Sequence, residues 1–597
     1  MHLIRAILVL LIAAAMPNIA AAQPPKHQPA YRNFKAAIYI TVGDTKRLAD
    51  PATFERDFAR VSSQLKFDKV YVEGYRDRQF ASDAQLEAVK RAFAAKGIET
   101  AGGITLAAGG SGGQFGTFDY EIPADRAEAE RAVRTIARHF DEVILDDFFF
   151  YTSKSDADIA AKGSRSWTRY RLDTMLAASR DLVIGPARQE NPRVKLIIKY
   201  PNWYEHFHGL GYDLDRQAKM FDAIYTGTET RDPVMTDQLL QQYESYEIFR
   251  YLSNVRPGGG NLGGWVDTFS VRAIDRYAEQ LWDTLFAKAP EMTLFNWHPM
   301  AEAASAPPGD RPWANQPTSF RWKAGQGGWA SAASQALTSA DAVLGDLGKP
   351  VGVASYRPPH ATGEDFLHNY IGNLGVPIEL YPDYPASART ILLTQSAAAD
   401  VEIIAKIQRS LGSGAKVIVT SGFLAAMQGK GFEDLAEWQA TGHKIAIDRY
   451  FDGFGAGNGT ELKEAGKTAP VLFPEIRFYT NDSWGIIRGV AAAKGFPIVL
   501  MNHVSKGTLY LWTMPENFGD LYNLPQPMVT RIKEYLFADT PVRIDAPDHV
   551  ALFTYDNGAF IVENYRDDSA RVGIVRNGQA TRSTVTIPPH SFRVFKP

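Results

Sequence analysis

The sequence predicts an α/β protein: a (β/α)8 TIM barrel, then a flavodoxin-like α/β domain, then a small C-terminal β-sandwich. Three observations carry that expectation. Short β-rich apolar runs alternate with amphipathic helical stretches from Phe34 to about Trp297, a second such alternation starts at Val351, and short alternating strands take over from Val542. The length of 597 residues suits several domains, or fewer if one is a large barrel.

In chain order, eight runs of the first segment read as strands: Ala37–Val42, Lys69–Glu73, Glu99–Leu106, Glu142–Asp146, Lys195–Lys199, Ala223–Thr226, Gly264–Asp267 and Met292–Phe295. Helices fill the gaps. In the first, Asp50 is placed as N-cap and Pro51 at the first helical position, where a missing N–H costs nothing. Eight strand–helix repeats indicate a closed barrel over residues 31–349; a doubly wound sheet is the alternative, because strand count alone does not prove closure. A Pro/Gly/Ala-rich bridge follows from Ala301 to about Trp329, then a helix through Leu347.

The second domain, residues 350–540, opens with Val351-Gly-Val-Ala-Ser355 and continues through a helix containing Phe366 to Leu374. Strands at Val376–Tyr381, Thr390–Thr394 and Lys416–Thr420 follow. Its first strand runs into Ser355-Tyr-Arg-Pro-Pro-His360 rather than a glycine fingerprint, so a structural role or a homo-oligomer contact is expected there and no cofactor. Residues 541–597 carry a hairpin turn, Asp556-Asn557-Gly558, and a terminal Thr584-Val-Thr-Ile587 strand, the signs of a β-sandwich.

The N-terminus pairs a cationic start (Arg5) with an apolar run to Met16 and the small-residue end Ala20-Ala21-Ala22. Residues 1–22 therefore read as a secretory signal peptide, implying a periplasmic or secreted protein with no membrane association after cleavage. The absence of Cys excludes disulfides, thiolate metal sites and a cysteine nucleophile. Apolar residues at 45% and charged ones at 22% exclude a disordered chain. A net charge of −3 without a basic run argues against nucleic acid.

In barrel enzymes the reacting groups project from strand C-termini. Strand four ends in Asp146-Asp147-Phe148-Phe149-Phe150, strand six runs into Thr228-Glu229-Thr230-Arg231, strand two ends in Glu73 and strand seven in Asp267. Two carboxylates across a barrel mouth are the minimum equipment for glycoside hydrolysis. Asp146, Asp147 and Glu229 are thus the catalytic candidates; only one of the two aspartates should face the mouth, since neighbouring side chains on a strand point to opposite faces. Asp can also cap a following helix, and for Asp267 that reading is nearly as strong as catalysis.

Glu73, Lys199, Asn202, Trp203, Arg231, Trp265, Asp267, Asn296, Trp297 and His298 supply the mixture of donors and aromatic faces that sugar rings use, and are the candidate substrate-binding residues. His206 and His208 lack a further placed ligand, so no metal is expected. The glycine runs Gly109–Gly113 and Pro257–Gly260 lack a phosphate-cradle context and read as barrel loops. No Gly-x-Ser-x-Gly elbow stands on a strand-to-helix turn.

The order of barrel, flavodoxin-like domain and β-sandwich resembles the β-galactosidase family whose barrel precedes a trimerisation domain. That resemblance implies an Asn-Glu pair after strand four and a Glu after strand seven, where this chain has Asp146-Asp147 and Asp267. Acids at strands four and six are instead similar to α-galactosidase and α-fucosidase barrels, which implies Asp146 or Asp147 as nucleophile and Glu229 as acid/base. The leading expectation is an exported glycoside hydrolase of two-carboxylate, retaining type acting on an oligo- or polysaccharide. A non-catalytic glycan-binding barrel and a metal-assisted hydrolase using Asp146, Asp147 and His208 are the alternatives.

Overall fold

A computed structural model describes residues 29–110, 116–202, 207–233, 240–271, 273–303, 328–453, 459–479, 481–577 and 582–597. The expected leader and Trp203 lie outside the described residues. Eight parallel strands close into a barrel: β1 (Lys35–Ile40), β2 (Lys69–Glu73), β3 (Glu99–Ile104), β4 (Glu142–Leu145), β5 (Lys195–Tyr200), β6 (Ala223–Gly227), β7 (Asn261–Asp267) and β8 (Glu291–Phe295). Closure is direct, with β1 paired to both β2 and β8. The strands are apolar and β-branched because parallel strands are buried on both faces.

Local signals set the ends of these units. Asp50 caps the helix Pro51–Ser62 by accepting from the Thr53 N–H, as its sequence predicts. Ser82 and Gln85 form a reciprocal capping box at the helix Asp83–Ala95. The first strand has the predicted length but lies two residues earlier, at Lys35–Ile40 rather than Ala37–Val42. Thr41 accepts from the Asp44 N–H and starts a helix, Val42–Leu48, so the chain leaves β1 at Ile40.

Alternate residues fill the barrel interior: Ala37, Tyr39, Tyr71, Ala101, Ile144, Ile197, Ala223, Tyr225 and Trp265 form one apolar cluster. At the N-terminal end, Lys69 donates to the Tyr71 hydroxyl at 2.8 Å and pairs with Glu142 and Glu291, which plugs that end with a satisfied polar network. The opposite end is where chemistry can occur.

The second domain contains β9 (Val353–Tyr356), β10 (Ile378–Tyr381), β11 (Thr390–Leu393), β12 (Lys416–Thr420), β13 (Ser483–Ala491), β14 (Lys494–Val504) and β15 (Gly507–Trp512). Its parallel part has the order β10-β9-β11-β12-β15, the flavodoxin-like arrangement. The sheet then continues antiparallel through β14 and β13, an extension that the sequence reading did not anticipate. The C-terminal residues form a three-stranded sheet and, with the short strand Pro350–Val351 added at one edge, a four-stranded one around an apolar cluster including Val550, Leu552, Phe560, Val562 and Val572.

Candidate active site

Lys199 organises the C-terminal mouth of the barrel. It is the penultimate residue of β5, its side chain is 2% exposed, and its ammonium lies 4.6 Å from the centre of the Trp265 ring. From there Nζ donates to Asp147 Oδ2 at 2.7 Å, to Glu229 Oε1 at 3.1 Å and to Asp146 Oδ1 at 3.4 Å. A charge this deeply buried requires such partners. Burial alone would depress the lysine, but the three carboxylates outweigh it and hold it above the ordinary range.

Both aspartates reach Lys199, contrary to the expected alternation of faces. The reason is local: β4 ends at Leu145, and the chain turns as Asp146 Oδ1 accepts from the Asp147 N–H at 2.9 Å. Their surroundings differ sharply. Asp146 Oδ2 accepts from Arg76 Nη2 at 2.9 Å and from Thr105 Oγ1 at 3.1 Å, so its lone pairs are committed to protein. Burial would raise its carboxyl, but Lys199 and Arg76 hold it below the ordinary carboxylate range. Asp147 is bonded through Oδ2 to Lys199, and burial, reinforced by Asp146 and Glu229, pushes its carboxyl up to about 7 against the pull of Lys199.

Glu229 follows β6. Gly227 is required beside it, because a Cβ there would come within 2.5 Å of Glu229 Oε2 and 3.2 Å of the Pro201 Cα. Asn202 donates its side-chain amide to the Glu229 carbonyl, fixing the loop. Burial raises the Glu229 carboxyl, Lys199 opposes that, and Asp267 adds to it. Asp267, at the end of β7, is held by a two-pronged Arg231 contact at 3.2 and 2.8 Å and also accepts from the Phe269 N–H at 3.0 Å. It therefore closes a local turn rather than capping the next helix, Ile274–Phe286.

Several candidate substrate contacts are corrected. Glu73 is fully buried and accepts from Tyr39 Oη at 2.7 Å, Val42 N at 2.6 Å, Arg76 Nε at 3.0 Å and the Thr105 hydroxyl, so it orients Arg76 rather than meeting a sugar. Trp297 is fully buried against Phe67 and Phe93, in the layer between barrel and helices. His298 pairs with Glu302 at 3.1 Å, and Asn296 caps the same short helix. Lys199 and Asn202 hold acids in place, and Trp265 lies beneath the Lys199 ammonium. His208 has its ring 6.2 Å from that of His360, and Asp146, Asp147 and Glu229 are each bonded to the Lys199 ammonium. Among the described residues no group of three or more His, Cys, Asp or Glu could hold a metal ion.

Sequence reasoning missed Arg76, Thr105 and Tyr212, whose hydroxyl donates to the Asp147 carbonyl. A signal existed for Arg76 alone: it stands three residues after a strand-end glutamate.

A family model described as "Probable glycosyl hydrolase, catalytic domain" matches residues 23–346, more than half of the chain. The chain belongs to this glycosyl hydrolase family. Two further models match, "Uncharacterized protein SSO3021, second domain" over residues 348–517 and "Probable glycosyl hydrolase, C-terminal domain" over residues 541–584. The chain is similar to the uncharacterized protein SSO3021 of Saccharolobus solfataricus, at 28% identity over 297 residues, covering 44% of this chain and 48% of that protein. It thus spans about half the length of the curated relative it matches.

Among solved structures, the glycosyl hydrolase chain is similar in fold to the cold-adapted β-galactosidase of Rahnella sp. R3, with TM-score 0.61, 10% identity and coverage of 94% of this chain and 98% of that one. The β-galactosidase of Bacillus circulans sp. alkalophilus gives TM-score 0.60, 10% identity and coverage of 94% and 99%. The fold match extends over nearly all of the chain, the barrel and the sheets that follow it alike.

Proposed function

We propose that this chain is an exported glycoside hydrolase that cleaves an oligo- or polysaccharide with retention of configuration, Asp147 serving as acid/base and Glu229 as nucleophile. One observation carries the assignment: a single ammonium bridges the two carboxylates. Their bonded oxygens cannot be farther apart than those contacts, 2.7 and 3.1 Å, laid end to end. That limit suits the ~5–5.5 Å spacing of retaining pairs and falls short of the ~6.5–9.5 Å of inverting ones.

Asp147, kept protonated by burial, gives its proton to the glycosidic oxygen as that bond breaks, while Glu229 bonds to the anomeric carbon. The Asp147 carboxylate then takes a proton from water, the water oxygen bonds to the anomeric carbon, and Glu229 leaves as a carboxylate. Arg76 and Thr105, both bonded to Glu73, hold Asp146, which meets the pair through the Asp147 N–H and Lys199. This assigns Glu229 the opposite role to the one implied by the α-galactosidase resemblance, because Asp147 is the acid pushed up to about 7. Export rests on the residue 1–22 pattern.

The test is a reducing-sugar assay against a glycan panel, with the first-formed anomer read by proton NMR. Glu229→Gln and Asp147→Asn should each lower kcat by roughly 10³-fold or more on a natural substrate. An inverted first product, or glycan binding without release, would overturn the reading. Asp267 is the competing nucleophile, favoured by its Arg231 contact and by the strand-seven position of the β-galactosidase resemblance. Near-normal turnover in Glu229→Gln with loss in Asp267→Asn would transfer the role to it.

A further inference from the structure

Resting on the hydrolase reading, the geometry points to Phe269 as a platform for a sugar ring beyond the bond being cleaved, which makes the preferred substrate a chain of sugars rather than a simple glycoside. Three aromatic rings form a stair out of the mouth. Trp265 lies at the bottom, 2% exposed, beneath the Lys199 ammonium. Phe295 at the end of β8 stacks on it at 5.4 Å and 29°, and is partly exposed. Phe269 stands 6.1 Å from Phe295 at 38° and is 57% exposed.

An exposed phenylalanine is by itself unremarked surface. This one is anchored at the mouth: its N–H is bonded to Asp267 at 3.0 Å, and the next residue, Ser270, takes a positive φ of 54° that ends the turn. Such a left-handed turn in a non-glycine residue is uncommon and persists where the surroundings hold it. The backbone that carries the ring is therefore held at the mouth, with the ring 6.1 Å from Phe295. Arg76 also lies against Phe295, its guanidinium carbon 5.6 Å from the rings of both Phe295 and Phe148. Partly exposed aromatic faces beside hydrogen-bonding groups match the apolar C–H faces and equatorial hydroxyls of pyranose rings. A second ring bound on Phe269 would contribute binding without touching Asp147 or Glu229.

The test compares Phe269→Ala and Phe269→Trp with the unaltered enzyme on two substrates of one sugar: its glycosyl fluoride, which has no ring on the leaving side, and the best-cleaved oligosaccharide of the panel. In Phe269→Ala, KM for the oligosaccharide should rise about tenfold with kcat little changed, in line with one lost aromatic contact. Turnover of the fluoride should be unaffected, and Phe269→Trp should restore the oligosaccharide KM. Unchanged kinetics on the oligosaccharide, or an equal loss on both substrates, would overturn the inference while leaving the hydrolase reading intact. Light scattering adds a further check: a smaller particle in Phe269→Ala would place the ring in a contact between copies and overturn it too. An unaltered enzyme inert on both substrates would remove the hydrolase reading itself.

Discussion

Lys199 decides how the acids at the mouth divide their labour. With three carboxylates around one ammonium, the pair most exposed to substrate chemistry, Asp147 and Glu229, share a charge that neither owns, while Asp146 is tied down by Arg76. Two consequences follow for pH. The Asp147 carboxyl, pushed up to about 7, must be protonated to act as acid, so kcat/KM should fall as pH rises through about 7. A profile flat to pH 9 would remove Asp147 from that role. Lys199→Met takes away the charge that opposes burial at Glu229, so its carboxyl should need a higher pH to ionise and the acidic limb should move upward. An acidic limb unmoved in that variant would show that Glu229 is not the group that must be ionised. The acids were legible in sequence because each sits at a strand end, where barrel chemistry is found. Thr105 and Phe269 were not, because what recruits them is the spacing between different strands, and Arg76 offered only its place three residues after the strand-end Glu73.

At the scale of elements, the helix Ile274–Phe286 is the least ordinary. All of its residues are buried, including Asp275, Arg276, Glu279 and Asp283, because the helix Gly328–Leu344 and the C-terminal sandwich together cover the face that an amphipathic pattern would leave to water. Arg276 bonds Glu279 at 2.7 Å and the Tyr565 carbonyl at 3.1 Å, and His590 bonds both Glu279 and Asp567. Asp283 accepts from the Tyr565 hydroxyl at 2.8 Å and meets Glu563 of the sandwich. Burial raises both carboxyls well above their ordinary range; at Glu563 the neighbouring Asp283 adds to it, and at Asp283 the Glu279 charge adds to it against the bonds from Glu563 and Tyr565. Their folded pKa values lie above the unfolded ones of ~4, so the stability tied to their protons is complete below ~4 and is lost as pH rises toward the folded values. The melting temperature should therefore decline on the alkaline side, and Glu563→Gln, which cannot ionise, should flatten that decline. Matching curves for both proteins from pH 5 to 9 would refute the coupling. The barrel strands were readable from their apolar runs and a helix was expected here, but its complete burial was not legible, since its partners in the sandwich lie hundreds of residues away. The β13–β14 hairpin escaped for a different reason: its turn residues Ala492 and Ala493 both take positive φ, 47° and 60°, a turn that usually announces itself with Asn-Gly.

Across the whole molecule, the sandwich is part of the barrel's support. Phe553 stacks on Tyr243 at 5.6 Å and 6°, lies 4.7 Å from Tyr246, and reaches Phe286 at 5.6 Å, so one side chain joins two barrel helices. Phe592 adds edge contacts to Trp282 and Phe286, both at 5.0 Å. The second domain is tied to the same helix, Glu244–Val255, by the Arg250–Glu379 ion pair at 2.6 Å and by the Tyr243 hydroxyl accepting from the Ile378 N–H at 3.0 Å. A single apolar cluster accordingly runs through residues of all three parts. Unfolding the sandwich alone would expose Tyr243, Trp282 and Phe286, each worth ~1.5–3 kcal/mol of burial, a cost comparable to the ~5–15 kcal/mol that holds a whole domain together. The parts should therefore melt together, and calorimetry of the full chain should show one endotherm. Phe553→Ala, with an expected loss of ~3–5 kcal/mol, should lower that transition as a whole. Separate endotherms, with the one that abolishes activity unmoved in Phe553→Ala, would mean that the sandwich is an appendage and that the barrel holds its active-site geometry unaided.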